Sequence, residues 1–381
     1  IWDSSNRGAA YVFVRSGGVW SEQAKLTASD GLSGDIFGAS VSLDGDRVVV
    51  GASSDDGNVG SVYVYERSGE LWTEKARLVA SDGAAYDHFG YSVSLDGDRV
   101  LIGAFRDNGW RGSAYMFLNT GGIWSQEAKL LPSDAQHWRD QVGVSDSLSG
   151  DTAVIGAYGD DGILGSAYIF NRSGTSWTQS QKLTGSGQVG HSGFGGSVKL
   201  QGDTALIGSL WDDANGTDAG AGFVFTRSAG VWSEQDKLIA SDPVPGDLLG
   251  HAVAMDSSIS VLGAQSKDSN TGAAYIYAKD SDSDDIPDNF DNCPTVYNPG
   301  QEQTGYNVGG QFGDACVDPE VNFPDSADFA PDATIGAGST LNKDITISSG
   351  ADIGENVTLN KNSSVGENTT VGDSTVIDQG T

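Results

Sequence analysis

The stretch from Phe37 to Ala52 reads FGASVSLDGDRVVVGA, two short apolar-rich runs on either side of Asp44-Gly45-Asp46. Asp-Gly between such runs is a hairpin signal, because both residues tolerate the positive φ that a tight turn demands. Two strands are therefore expected, Ala39 to Leu43 and Arg47 to Ala52. Reading outward, GSVYVY at Gly60 to Tyr65 alternates small or aliphatic residues with aromatics, and WTEKARL at Trp72 to Leu78 carries a tryptophan and ends in a basic-Leu pair. These give a third and a fourth strand. The opening dipeptide Phe37-Gly38 returns as Phe89-Gly90, Val142-Gly143, Phe194-Gly195 and Leu249-Gly250, at intervals of 52 to 55 residues. Trp20, Trp124, Trp177 and Trp232 share the phase of Trp72. Helix-period stretches are absent, so the chain reads as all-β, built from repeated four-stranded sheets.

The recurrent Phe-Gly, the Gly-Ala pairs at Gly51, Gly103, Gly156 and Gly263, and the Val-Tyr-Val-Tyr strand resemble the FG-GAP repeats of β-propellers, found in integrin α-chain heads and in many secreted bacterial proteins. The resemblance covers residues 1–279 and implies a propeller of four-stranded blades. Glycine would let inner strands approach near the axis, and the aromatics of strands three and four would fill the widening wedge between blades. Counting gives five first, five second, six third and five fourth strands, which is five blades of four and one surplus. Five blades follow if an N-terminal strand completes the sheet begun at Leu249. Six or seven follow if residues lie upstream of Ile1.

Composition bounds the function. Of 381 residues 54 are Gly, with no Gly-X-Y period, and 38% are hydrophobic, which excludes collagen and wholesale disorder. The formal net charge of −31 repels phosphate backbones and anionic membranes and favours cations as partners, so nucleic acid is excluded as a ligand. No apolar run is long enough to span a bilayer.

After Tyr277 the sequence turns acidic, with DSDSDDIPDNFDNCP from Asp280. A twelve-residue loop supplies oxygens to Ca²⁺ from alternating positions, here Asp280, Asp282, Asp284, the Ile286 carbonyl, Asp288 and Asp291. Without a cation these carboxylates would repel one another. The run, with GDAC at Gly313 to Cys316, resembles the thrombospondin type 3 repeat over 280–318. That resemblance implies bound calcium and paired cysteines. Cys293 and Cys316 are the only two in the chain, and one disulfide is expected between them.

Residues 319–332 read as a linker, and a six-residue period follows over 333–381: Ile335, Leu341, Ile347, Ile353, Leu359, Val365, Val371 and Ile377. This resembles the hexapeptide repeat of left-handed parallel β-helices, in which three hexapeptides make one coil. Fewer than three coils leave an open end, so capping is expected, by another copy or by residues beyond Thr381. Acyltransferases on that scaffold work through a histidine, and none follows His251.

Candidate chemistry elsewhere is sparse. His88, His137, His191 and His251 fall near the Phe-Gly phase, which places them in loops on one face. Gly185 to Gly190 matches GxGxxG with no βαβ unit around it. The loops between second and third strands keep Asp55-Asp56, Asp107-Asn108, Asp160-Asp161 and Asp212-Asp213 in phase. Asp55, Asp56, Asp107, Asp160, Asp161, Asp212 and Asp213 are thus candidate weak cation ligands, with polar turns as the competing reading. The integrin-type calcium loops lie between first and second strands, where this chain has only Asp-Gly-Asp, so those sites do not carry over. The expectation is a secreted or cell-surface, bacterial, non-enzymatic structural or adhesive protein. Its propeller head would engage surface proteins, matrix or glycans, and its β-helix or the surplus strand would join copies, into a filament at the extreme. An extracellular enzyme or a carbohydrate-binding propeller is the competing class.

Overall fold

In the computed structural model the described residues are 7–256 and 259–278, together with short strands between 316 and 377. The chain divides into two compact units, Ile1–Tyr277 and Ala278–Thr381.

The first unit is an all-β propeller of five blades. It opens with a hairpin of β1 (Ala10–Ser16) and β2 (Val19–Leu26). Four meandering four-stranded sheets follow: β3 (Ser40–Asp44) to β6 (Leu71–Leu78) through β4 (Arg47–Ala52) and β5 (Ser61–Ser68); β7 (Ser92–Asp96) to β10 (Ile123–Leu130) through β8 (Arg99–Ala104) and β9 (Ser113–Thr120); β11 (Asp146–Ser149) to β14 (Ser176–Leu183) through β12 (Thr152–Ala157) and β13 (Ser166–Ser173); and β15 (Phe194–Gln201) to β18 (Val231–Leu238) through β16 (Thr204–Ser209) and β17 (Ala221–Ser228). The fifth sheet is three-stranded, β19 (Leu249–Met255), β20 (Ile259–Ala264) and β21 (Ala273–Ala278). The expected completion of this sheet by an N-terminal strand does not occur: β2 pairs with β1, which is itself a third-type strand and satisfies its ladder. Single helical turns, too short to show a helical period, sit in the loops after four second strands: α1 (Asp55–Asn58), α2 (Asp107–Trp110), α3 (Asp160–Ile163) and α4 (Lys267–Asn270).

Successive sheets pack face to face through separate apolar cores. Val49, Val62, Val64 and Leu78 of one blade meet Phe89, Val100, Ile102, Tyr115 and Phe117 of the next. The Phe of Phe-Gly is held edge-on by the third strand of its own blade: Phe37 lies 5.5 Å from Tyr63 and 6.2 Å from Tyr65, and Phe89 lies 5.4 Å from Tyr115. Trp72 and Trp232 are buried in the outer wedge. Trp20 is 65% exposed, because no sheet covers that face of the first hairpin.

Glycine acts where the sequence pattern placed it. A Cβ on Gly51, Gly103, Gly156 or Gly208 would come within 2.1 Å of the carbonyl oxygen of Gly90, Gly143, Gly195 or Gly250 in the following blade. Serines join the first strands of neighbouring blades: Leu95 N, Leu148 N and Leu200 N donate to Ser42, Ser94 and Ser147 Oγ at 3.0, 2.9 and 2.9 Å.

In the second unit, two-residue strands β22 (Cys316–Val317) to β31 (Val376–Ile377) pair in parallel. Ile335 aligns with Ile353 and Ile353 with Val371, a step of eighteen residues at each pairing. The same step already joins Val317 to Ile335, upstream of the stretch whose period was read from sequence. Ile353, Val365 and Val371 are buried.

Candidate functional site

The loops between second and third strands place their leading aspartates inside the blade. Asp55, Asp107, Asp160 and Asp212 are all 5% exposed or less. A buried carboxylate needs a counter-charge, and each finds one on the fourth strand, at the basic residue preceding its terminal leucine. Arg77 Nη2 lies 2.7 Å from Asp55, Lys129 Nζ 2.6 Å from Asp107, Lys182 Nζ 2.7 Å from Asp160 and Lys237 Nζ 2.8 Å from Asp212. In each of these loops the leading carboxylate is thus paired with a basic side chain of the same chain.

A tyrosine of the third strand completes the cluster. Tyr63 OH lies 2.7 Å from Asp30 Oδ1 and 3.1 Å from Asp55 Oδ2. Tyr115 OH stands 2.9 Å from Asp82 and 3.0 Å from Asp107, and Tyr168 OH donates to Asp160 at 2.6 Å. Burial pushes the carboxyls of Asp55 and Asp160 up, but the adjoining Arg77 and Tyr63, and Lys182 and Tyr168, outweigh it and hold both below the ordinary value. The phenols of Tyr63, Tyr115 and Tyr168 are raised, first by burial and in each case also by the adjoining carboxylates. In the fourth repeat Phe223 replaces the tyrosine and Gly187 replaces the aspartate that would accept from it, so donor and acceptor are absent together.

The second aspartates have a different origin. Asp56, Asn108 and Asp161 adopt φ of 50°, 53° and 49°, the left-handed region in which Asp and Asn are the best tolerated non-glycine residues. Asp56 and Asp161 are exposed and reach back to Arg77 and Lys182 at 2.5 and 2.8 Å. Asp213 is exposed and accepts from Asp218 N at 2.8 Å. The seven candidate residues thus fall into four separate loop clusters, one per blade. Among the described residues, no group of three or more His, Cys, Asp or Glu is arranged to hold a metal. Asp280, Asp282, Asp284, Ile286, Asp288, Asp291 and Cys293 lie outside the described residues, and Cys316 is placed only as part of β22.

A second set of carboxylates was missed in the sequence although it lies two residues before four of the five Phe-Gly positions or their counterparts, with Ser192 at the remaining one. Asp35, Asp87, Asp140 and Asp247 are buried and cap the turn before them, with Ala84 N, His137 N and Val244 N donating to Asp87, Asp140 and Asp247 at 2.7, 2.9 and 2.8 Å. Burial raises the carboxyls of Asp35, Asp87 and Asp140.

The histidines divide. His88 Nδ1 lies 3.1 Å from the Ser53 carbonyl and its Nε2 3.2 Å from Arg106, and burial and then the guanidinium lower its basicity. His137 and His191, from successive repeats, share a surface cavity of about 540 Å³ with Trp138, Arg139, Asp140 and Asp161. Trp138 is 58% exposed, and the Arg139 guanidinium stands 4.2 Å from its ring centre. Asp140 Oδ1 is buried without a hydrogen-bond partner.

A family profile described as FG-GAP repeat matches residues 20–65, 72–117, 124–170, 177–225 and 232–277. Each match starts at the tryptophan strand of one sheet and ends on the third strand of the next. A search of curated protein sequences finds no match.

Proposed function

Since the chain belongs to the FG-GAP repeat family, we propose that it is a secreted or cell-surface interaction protein whose propeller is an adhesive head rather than a catalyst. FG-GAP repeats occur in extracellular and surface proteins, and their propellers characteristically serve as interaction domains. Among the described residues no helix is long and apolar enough to cross a membrane. The observation that carries the reading is the ion-pair cluster in each loop. Buried Asp–Lys or Asp–Arg contacts fix the loops between second and third strands as a pre-organised surface, which lowers the ordering cost of binding.

In this reading the segment from Asp280 to Asp291 binds one Ca²⁺, Cys293 and Cys316 close a disulfide, and the hexapeptide segment folds as a left-handed β-helix that joins copies. The eighteen-residue pairing step supports the last element, since it equals three hexapeptides. Calorimetric titration of the full chain with Ca²⁺ tests the connector: a single site is expected, lost in Asp282→Asn/Asp284→Asn. No heat of binding, with melting unchanged by a chelator, would sink it.

Glycan recognition is a second reading, favoured by the cavity at His137, Trp138 and His191. An exposed indole beside carboxylates and imidazoles is the chemistry that stacks on a sugar ring and accepts from its hydroxyls. Oligosaccharide binding that survives Trp138→Ala would exclude this cavity.

A further inference from the structure

Where the repeats depart from one another, several departures gather at one junction between inner blades. Arg106, Trp110 and Arg111 stand where the first repeat has Ser54, Asn58 and Val59 and the third has Gly159, Ile163 and Leu164. Trp110 holds φ of 73°, as Asn58 does at 69°, and a left-handed turn suits asparagine better than an indole. The loop entering the next blade is longer than its counterparts: Asp134 and Asp140 are six positions apart, whereas Asp30 and Asp35, Asp82 and Asp87, and Asp242 and Asp247 are five. The longer loop carries His137-Trp138-Arg139. Gly159 makes room for it, since a Cβ there would come within 1.7 Å of the Arg139 carbonyl oxygen, whereas Ser54, Arg106 and Ser266 hold that position in other repeats. The two loops are tied together, with Gln141 N donating to Trp110 O at 3.3 Å and Val142 N to Arg111 O at 2.9 Å.

Each loop lays an arginine over an indole. The Arg106 guanidinium stands 4.0 Å from the ring centre of Trp110, which is 41% exposed, and Arg139 stands in the same way over Trp138. The basic residues of the neighbouring fourth strands are taken up by carboxylates, but among the described residues Arg106, Arg111 and Arg139 have none within ion-pairing reach. Arg106 Nη1 lies 3.2 Å from His88 Nε2, and its Nε is buried without a partner. The carboxylates of these loops are engaged elsewhere, Asp107 with Lys129 and Asp161 with Lys182. The junction is therefore locally cationic on a chain of net charge −31. Exposed charges beyond about 8 Å are screened at physiological salt, so the junction acts by its own sign. One acceptor is left over: Asp140 lines the cavity beside Trp138, is 1% exposed, and its Oδ1 has no partner.

We propose that this junction binds an acidic polysaccharide, with uronate carboxylates against Arg106, Arg111 and Arg139 and sugar rings against the exposed parts of Trp110 and Trp138. The inference rests on the glycan reading of the cavity at His137, Trp138 and His191 and gives it a ligand class. A guanidinium laid over an indole keeps its N–H groups at the edge, a planar fork that matches a planar carboxylate. Asp140 Oδ1 accepts from a ring hydroxyl, a donor that a sugar supplies and an oxyanion does not. Two arginine–indole pairs on adjoining loops engage successive units of one chain, so an oligouronate binds more tightly than its monosaccharide.

Calorimetric titration of the full chain with tetragalacturonate and with tetramannuronate tests this, in EDTA so that calcium cannot bridge the ligand to the acidic segment after Tyr277. Saturable binding that weakens as salt rises is expected. Arg111→Ala and Arg139→Ala, both at exposed positions, should each weaken it by about tenfold or more with melting unchanged. Lys75→Ala, which removes the same charge from an exposed position on β6, should bind as the parent does. Methyl-esterified tetragalacturonate, with its charges removed and its hydroxyls kept, should bind more weakly than the acid. Equal affinity for the ester, with both arginine variants binding like the parent, overturns the proposal and leaves the glycan reading standing. Absence of binding to either acidic tetramer overturns the proposal, and absence for the ester as well removes the glycan reading with it. Tighter binding of a sulfated tetrasaccharide or of single-stranded DNA overturns the assignment to uronate.

Discussion

Lys267 Nζ lies 3.0 Å from Asp247 Oδ2, inside the fifth blade, at the position that Asp55, Asp107, Asp160 and Asp212 fill in the other four. The ion-pair cluster is kept while its polarity is reversed: the loop supplies the cation, and Asp242 and Asp247 supply the anions. What the fold requires of this position is a neutralised charge, of either sign.

Removing the cation from such a cluster should be costly. Lys129→Met leaves Asp107 buried at 4% exposure beside Asp82, and a loss of about 3 kcal/mol is expected, the usual effect of stranding a buried charge. Urea unfolding of the two chains measures it. The double variant Lys129→Met/Asp107→Asn should be less destabilised than the single one, because no full charge is then stranded in the loop.

Asp146 predicts a pH dependence. It stands on the first strand where the other repeats have Val41, Val93, Val198 and Val253, accepts from Ser92 Oγ, and leaves Oδ1 without a partner. Burial pushes its carboxyl up to about 7. Because the folded value lies above the unfolded one, the favourable contribution is complete below about pH 4 and is lost as pH rises through about 7. Asp146→Val should therefore gain stability relative to the parent as pH rises from 4 to 8, by up to about 4 kcal/mol. A pH-independent difference in melting would contradict this.

Glycine substitutions should separate internal from terminal blades. Gly103→Ala drives a methyl to within 2.0 Å of the Gly143 carbonyl oxygen, where backbone must move, and a cost of about 3 kcal/mol or more is expected. Gly263→Ala meets nothing closer than 3.7 Å and should melt within a degree or two of the parent.

Tyr115→Phe should cost about 1 kcal/mol through loss of the bonds to Asp82 and Asp107. Adding Asp82→Gly to that background reproduces the Phe223 and Gly187 combination of the fourth repeat, and should cost less than Asp82→Gly alone. A double-mutant cycle with zero coupling would show the two groups to be independent.

The propeller was legible in sequence because strand signals at a fixed period survive whatever any one repeat does. Phe37 and Gly51 announce their roles through recurrence, and the packing at Tyr63 and Gly90 explains them. The loop aspartates were legible as a phase but not as a cluster. Asp55 and Arg77 are 22 residues apart, and only the fold of β4, β5 and β6 brings loop and fourth strand together, so the ion pair does not show in the sequence. Asp35 and Asp87 escaped notice because a turn-capping aspartate resembles any polar loop residue until its burial is seen. That β1 pairs with β2 and leaves the sheet of β19 three-stranded was not legible, since sequence counts strands without saying which neighbour each will take.

The offset between repeat and sheet has a consequence for how such chains can vary in size. Each 52-to-55-residue unit gives its first strand to one sheet and its other three to the next. Inserting or excising one whole unit in the gene would leave every internal sheet four-stranded and every wedge between sheets filled. Blade number is then a heritable quantity that can drift by whole steps, with no interface to be redesigned at any of them.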